Sequence, residues 1–162
     1  MVARLANEAL ALNAAIAELD ALIENRFRQH QHAEIILSMP GFGPLLGAEF
    51  LAATGGDLTQ FIADRLAGVA GLAPAPRDSG RLSGNLRRPR RYDRRLLRVL
   101  LLSALTSIRW CPACKIYYDR KRAGGTRHAQ AVIALARRRL NVLWAMLRDR
   151  TEYQAMPPAA AG

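Results

Sequence analysis

The chain has 162 residues, of which 51% are hydrophobic and 23% are charged, a composition typical of a folded domain rather than a disordered chain. No stretch reaches the roughly 18 uncharged apolar residues of a membrane span, and no secretory signal is visible at the N-terminus. The net charge of +11 is uneven, because residues 1–76 hold four arginines against eight acidic residues, whereas residues 77–162 hold twenty basic residues against five acidic ones. We therefore expect a cytoplasmic, basic protein whose second half meets a polyanion, with nucleic acid a better partner than a membrane.

The first predicted element is one long helix over residues 1–37, since no proline or glycine occurs before Pro40. Its apolar residues alternate spacings of four and three and form a thin heptad seam: Leu5, Ala9, Leu12, Ile16, Leu19 and Ile23. The seam favours a coiled coil, as an antiparallel hairpin or as a homo-oligomer. The first helix of an ordinary bundle is an equal alternative, and we expect His30 and His32 to be solvated.

A Pro-Gly turn follows at Pro40-Gly41-Phe42-Gly43, and a second helix is predicted to open on Pro44. This pattern resembles the helix-hairpin-helix motif, which holds the DNA backbone without sequence preference. Glycines permit the tight turn, and the free amides of the new helix can face a phosphate. Gly41 and Gly43 are therefore candidate nucleic-acid-binding residues, although a turn between two packed helices needs no DNA.

Gly55 and Gly56 are predicted to close this second helix, and Asp57 to cap a third. The third helix has a predicted buried stripe of Leu58, Phe61, Ile62, Leu66 and Val69. Gly71 and two prolines then end it, and the chain enters its most basic segment.

The segment 77–95 contains eight arginines and two Ser-Gly pairs. Guanidinium groups match phosphate oxygens in charge and geometry, and glycine lets a ligand approach the backbone closely. A serine hydroxyl on such a turn could serve as a phosphoryl-transfer nucleophile, but composition alone favours an arginine-rich loop that binds nucleic acid without chemistry. The candidate nucleic-acid-binding residues here are Arg77, Gly80, Arg81, Asn85, Arg87, Arg88, Arg90, Arg91 and Arg94.

A fourth helix is predicted after Asp93 and is apolar nearly all round, so we expect it at the centre of the core. Cys111-Pro112-Ala113-Cys114 follows; two cysteines are too few for a zinc site, and we expect reduced, structural thiols. Residues 117–122 interleave tyrosines with cations. Arg120, Lys121 and Arg122 are candidate phosphate contacts, with an ordinary amphipathic helix as the equal alternative.

The last predicted helix runs from His128 to about Arg150, with a positive side formed by Arg137, Arg138 and Arg139. We expect Trp144 to be a core residue and residues 151–162 to be a disordered tail. No stretch shows the alternation of a β-strand, so the predicted fold class is all-α. The predicted domains are a coiled-coil helix over 1–37, a compact helical domain over 38–150 and the tail.

Several of these segments, in this order, resemble one family. Pro40–Gly43, Ala70–Pro74, Asp78–Asn85, Tyr118–Arg122 and the closing helix are similar to the C-terminal domain of insertion-sequence transposases that combine a DEDD domain with a serine, the bridge-RNA-guided recombinases. The resemblance covers about residues 35–150. Helix 1–37 resembles the coiled coil that joins the two domains in that family.

The resemblance implies a strand-transfer function. In the family an RNase H-like domain binds divalent metal through four acidic residues, and a serine of the C-terminal domain becomes joined to DNA. Ser79 matches that serine by its position, and Ser83 is a weaker alternative. The implied partners are DNA and a structured guide RNA.

This sequence starts within the coiled-coil-like helix, and we expect it to lack the metal-binding domain, to bind no metal or cofactor itself, and to be inactive alone. The alternatives are a non-catalytic nucleic-acid-binding fragment or regulator of a full-length transposase, and a decayed fragment with no selected role.

Overall fold

The computed structural model describes residues 1–56, 62–73, 75–76, 86–87, 89 and 91–155. Within them the fold is all-α, as predicted, with one short antiparallel pair of strands. The elements are α1 (Val2–Arg28), α2 (Ala33–Ser38), α3 (Pro44–Thr54), α4 (Ala63–Val69), β1 (Ala75–Pro76), β2 (Leu86–Arg87), α5 (Arg94–Trp110), α6 (Pro112–Ala123) and α7 (His128–Asp149).

The N-terminal segment differs from the single helix predicted over residues 1–37. α1 ends at Arg28, and a turn separates it from the short helix α2. Only the end of α1 joins the core: Phe27 is buried, and its ring fills the space over Gly47 of α3, where a Cβ atom would lie 2.4 Å from it. His32, expected to be solvated, is buried at the start of α2.

The Pro-Gly turn between α2 and α3 is packed tightly against α5. Gly41 has a φ of 90°, and a Cβ atom there would lie 2.4 Å from the Ser103 carbonyl oxygen. Both facts require glycine at this position. α3 then begins at Pro44, as predicted, and ends at Gly55, whose φ of 73° is the left-handed conformation of a helix C-cap.

The next helix is shorter and less buried than predicted. α4 begins at Ala63, and of the predicted stripe Leu66 is buried whereas Ile62 and Val69 are exposed. Asp57, Leu58 and Phe61 lie outside the described residues. Beyond α4, the backbones of β1 and β2 pair antiparallel, with Ala75 opposite Arg87 and Pro76 opposite Leu86.

α5 lies at the centre of the molecule, as predicted. Asp93 caps it by accepting a hydrogen bond from the Leu96 amide at 2.8 Å. α5 packs against α3, α6 and α7 and buries Leu96, Val99, Leu100 and Ala104. The chain bends by 103° at Cys111, which ends α5 and precedes Pro112, the first residue of α6. α6 stops at Gly124, and α7 returns across the core.

The residues after α7 include an anchored tyrosine. The Tyr153 amide donates to Ser38 Oγ at 2.8 Å, and the half-buried ring packs on the core. The remainder of the predicted tail, from residue 156 on, lies outside the described residues. In the described part of the chain, no single helix is long and apolar enough to span a membrane; α5 and α6 meet that criterion only as a bent pair.

Candidate nucleic-acid interface

The N-terminus of α3 is the clearest candidate for a phosphate site among the described residues. Gly43 is its N-cap residue and supplies no side-chain hydrogen bond, and Pro44 has no amide proton. The amides of Leu45 and Leu46, in the first turn, have no carbonyl partner within the helix, so they are available to an anion. Gly43 has an ordinary extended backbone, and a Cβ atom there would meet nothing within 4 Å. Unlike Gly41, it has open space in front of it.

Arg91 and Arg94 are exposed, but the fold does not bring them to this turn. Gly41 lies against Ser103 and Ser107, whereas Glu49 pairs with Arg98 at 2.6 Å, so α3 and α5 run antiparallel. Arg94, at the start of α5, is therefore near the opposite end of α3 from Gly43. With eleven residues, α3 spans about 16 Å. The two predicted phosphate sites are separate.

A second candidate surface is a cluster of cations around Tyr117 on α6. The ring of Tyr117 lies 5.5 Å from the Arg120 guanidinium, 5.9 Å from the Lys121 ammonium and 5.0 Å from the Arg138 guanidinium. Arg120 and Arg138 are exposed. Arg122, in the last turn, donates to the Thr126 carbonyl oxygen at 2.9 Å. The structure thus places Arg120 and Lys121 on one surface and adds Arg138 from α7.

The arginine triplet of α7 does not form the single positive side that the sequence predicted. Arg137 pairs with Asp64 and the Ala63 carbonyl oxygen of α4, and Arg138 belongs to the Tyr117 cluster. Arg139 is only 4% exposed. A helical projection could have shown this, since position 139 is three residues after Ala136 and four before Leu143, both on the buried face.

Arg139 links three elements around the turn before α3. Its Nη2 donates to the Pro40 carbonyl oxygen at 2.5 Å and to Ser103 Oγ at 2.7 Å, and its Nη1 donates to Cys114 Sγ at 3.5 Å. A buried guanidinium needs such acceptors, because a desolvated charge without partners is costly. Arg139 therefore holds the turn in place from within the core.

The arginine-rich segment itself is described only at its ends. The predicted residues Arg77, Ser79, Gly80, Arg81, Ser83, Asn85, Arg88 and Arg90 lie outside the described residues, and of Arg87 only the backbone is described. The β1–β2 pair brings the two ends of residues 77–85 side by side. Among the residues that the structure describes, no three His, Cys, Asp or Glu side chains are grouped so that they could hold a metal ion.

The comparisons with known proteins decide the family. The model of the IS116/IS110/IS902 transposase family matches residues 33–119, more than half of the chain. This chain belongs to that family of insertion-sequence transposases. It is 70% identical over 162 residues to a 42 kDa protein of insertion element IS900 from Mycobacterium paratuberculosis, covering 99% of this chain and 41% of that protein.

Two Streptomyces proteins are also similar. The identity is 50% over 159 residues to a 44.8 kDa protein of insertion element IS116 from Streptomyces clavuligerus, covering 98% of this chain and 40% of that protein. The identity is 41% over 160 residues to a 43.6 kDa protein of insertion element IS110 from Streptomyces coelicolor, covering 98% of this chain and 39% of that protein. The chain thus spans about two fifths of the length of these relatives.

Proposed function

We propose that this chain is the DNA-backbone-binding and strand-transfer portion of an insertion-sequence transposase. The observation that carries the proposal is the uncapped N-terminus of α3, reached through a Pro-Gly turn, with open space in front of Gly43. A helix N-terminus with free amides attracts phosphate through hydrogen bonds and the helix dipole. The turn would then hold DNA as a helix-hairpin-helix element does.

The Tyr117 cluster supports contact with a longer stretch of nucleic acid. Its cations would neutralise phosphates, and the tyrosine face would stack on a base or support an arginine against one. Arg91 and Arg94, at the far end of α3, would meet the backbone at a separate point. Such spacing fits an extended duplex, or a structured guide RNA, better than a small anion.

For the chemistry, we propose that Ser79 attacks a DNA phosphodiester, with Ser83 as the weaker candidate. The arginines around it, Arg77, Arg81, Arg87 and Arg88, would neutralise the phosphate. The antiparallel β1–β2 pair supports this, because it holds the ends of residues 77–85 together as the base of a hairpin. An unassisted serine hydroxyl is a poor nucleophile, so activation would come from a metal-binding acidic domain other than residues 1–162.

Substitution of Gly43 by serine tests the α3 site. A serine at the N-cap would accept a hydrogen bond from a first-turn amide and stabilise the fold by a few tenths of a kcal/mol, while occupying the space proposed for phosphate. We expect higher stability in urea denaturation and roughly tenfold weaker binding of a fluorescent DNA duplex at low salt. Gly68→Ser, on α4, is the control, because an added Cβ atom there also meets nothing within 4 Å and its backbone is not left-handed. Undiminished DNA binding by Gly43→Ser would exclude this turn from the interface.

The serine assignment needs a covalent readout. The chain would be combined with an acidic domain from a full-length relative, Mg²⁺, a guide RNA and end-labelled DNA, and a protein–DNA adduct sought under denaturing conditions. We expect Ser79→Ala to abolish the adduct and Ser83→Ala to retain it. The reverse result would assign the nucleophile to Ser83.

The second candidate function is a non-catalytic nucleic-acid-binding module that regulates a full-length transposase. The exposed apolar stripe of α1 favours it, because that surface could pair with the same helix of another copy. The two functions differ in the adduct experiment: a regulator would bind DNA with the same salt dependence and would reduce adduct formation by the full-length protein.

A further inference from the structure

The two cysteines lie together at the start of a helix. Cys111 is the N-cap residue of α6 and Cys114 is three residues on, in the first turn; both are buried, and neither forms a disulfide. The two residues are separated by one helical turn. At this spacing two cysteine side chains can be joined by rotation about their side-chain bonds, with little movement of the backbone.

A buried positive charge faces this pair. The Arg139 guanidinium is 4% exposed and contacts Cys114 Sγ, its Nε has no partner among the described residues, and no carboxylate in the described chain forms an ion pair with it. Its other acceptors, Pro40 and Ser103, are neutral. A buried cation is most stable beside an anion, and a cysteine thiolate is the anion that these surroundings can provide.

The two thiols differ in acidity. Burial raises the pKa of Cys111, but hydrogen bonds with Tyr153 and Cys114 and the charge of Arg139 outweigh it, so the pKa lies below its usual value. Burial and the hydrogen bond to Cys111 raise the pKa of Cys114. A thiolate beside a protonated thiol is the arrangement of an attacking and a resolving cysteine.

A cavity of about 140 Å³ lies beside the pair. It is lined by Cys114 and by Tyr153, whose hydroxyl contacts Cys111 Sγ at 3.5 Å. Since one water needs about 10–15 Å³ of such a cavity, the volume is sufficient for hydrogen peroxide, which is little larger than water.

We propose that Cys111 and Cys114 are a redox-active dithiol that a small hydroperoxide oxidises to an intramolecular disulfide. The Cys111 thiolate attacks one peroxide oxygen, the O–O bond breaks, and the departing hydroxide takes up a proton to give water. The Cys111 sulfenic acid is then attacked by the sulfur of Cys114, which loses its proton. The S–S bond forms, and a second water leaves. Each disulfide thus consumes one peroxide and yields two waters.

The test is to oxidise the full chain with hydrogen peroxide at neutral pH, alkylate the remaining thiols and measure the mass. We expect a disulfide within one chain and oxidation roughly tenfold faster in the native protein than in urea, because the native Cys111 is the more ionised. The native rate should rise with pH around a midpoint lower than that of the unfolded chain. Slower oxidation of the native protein, or a disulfide between chains, would overturn the proposal.

Single substitutions separate the roles of the two cysteines. In Cys114→Ser, Cys111 should stop at a sulfenic acid that dimedone traps when the oxidised protein is unfolded in urea, whereas Cys111→Ser should react slowly and give no adduct. Tyr153→Phe removes the hydroxyl that contacts Cys111 Sγ at 3.5 Å and should slow oxidation several-fold. Tyr118→Phe is the matched control, since that hydroxyl bonds His128 instead, and an equal effect of both substitutions would contradict the assignment.

Discussion

Gly41 and Gly55 are both in the left-handed backbone region, but their surroundings differ. Gly41 has a φ of 90°, and an added Cβ atom would lie 2.4 Å from the Ser103 carbonyl oxygen and 3.0 Å from the Ser107 amide nitrogen. Gly55 has a φ of 73°, and a Cβ atom there would meet nothing within 4 Å. The pair therefore separates the cost of the backbone conformation from the cost of a steric clash in the core.

Alanine at these two positions should have unequal effects on stability. We expect Gly55→Ala to cost about 1 kcal/mol, from the left-handed conformation alone. Gly41→Ala should cost about 3 kcal/mol or more, because α5 backbone must move as well. Urea denaturation measures both. Equal costs would mean that the turn moves away from α5 freely, and that Gly41 is not fixed by packing.

For single residues, the sequence predicted local backbone conformation better than it predicted the contacts that each side chain makes. The Pro40–Gly43 pattern predicted a tight turn. It did not predict that packing against α5 requires glycine at position 41, whereas neither backbone conformation nor packing requires glycine at position 43. The arginine triplet was predicted as one surface, yet its members face α4, the Tyr117 cluster and the core. Charge alone does not show burial, because a buried arginine depends on acceptors such as Pro40 and Ser103 that are distant in the chain.

At the scale of helices, the sequence predicted those helix ends that a polar N-terminal residue or a C-terminal glycine determines. α5 begins directly after Asp93, and Gly55 ends α3, as predicted. The end of α1 was not predicted, because no proline or glycine lies between Arg28 and the start of α2. The β1–β2 pair was not predicted either, since two residues per strand give no periodic pattern.

Most of α1 projects an uncovered apolar stripe, since the seam residues Leu5, Leu12, Ile16, Leu19 and Ile23 are all exposed. Exposed leucine and isoleucine at heptad spacing favour pairing with another helix. We expect the chain to self-associate through α1 and Ile16→Glu to shift it toward monomer, by light scattering after size exclusion. Ala14→Glu places the same charge on the opposite side of the helix and should have no effect. A wild-type chain that is monomeric at high concentration would contradict this prediction.

The whole molecule carries a charge of +11, concentrated after residue 76. The described residues form six ion pairs, and none of these pairs includes a cation of the Tyr117 cluster. Those cations therefore have no carboxylate partner among the described residues. Repulsion among such charges opposes the compact state, and bound anions or screening ions relieve it. The fold should therefore be more stable when a polyanion occupies this surface.

Thermal unfolding tests this at the scale of the whole chain. We expect Tm to rise by several degrees when a DNA duplex is added at low salt, because binding stabilises only the folded state, and the increase to shrink as salt replaces the released counterions. The double variant Arg120→Gln/Arg138→Gln should lose most of the increase. Arg4→Gln/Arg28→Gln removes the same charge from exposed pairs on α1 and should keep it. If both double variants lost the increase in Tm equally, the stabilisation by DNA would depend on net charge alone, and the Tyr117 cluster would not be the DNA-binding surface.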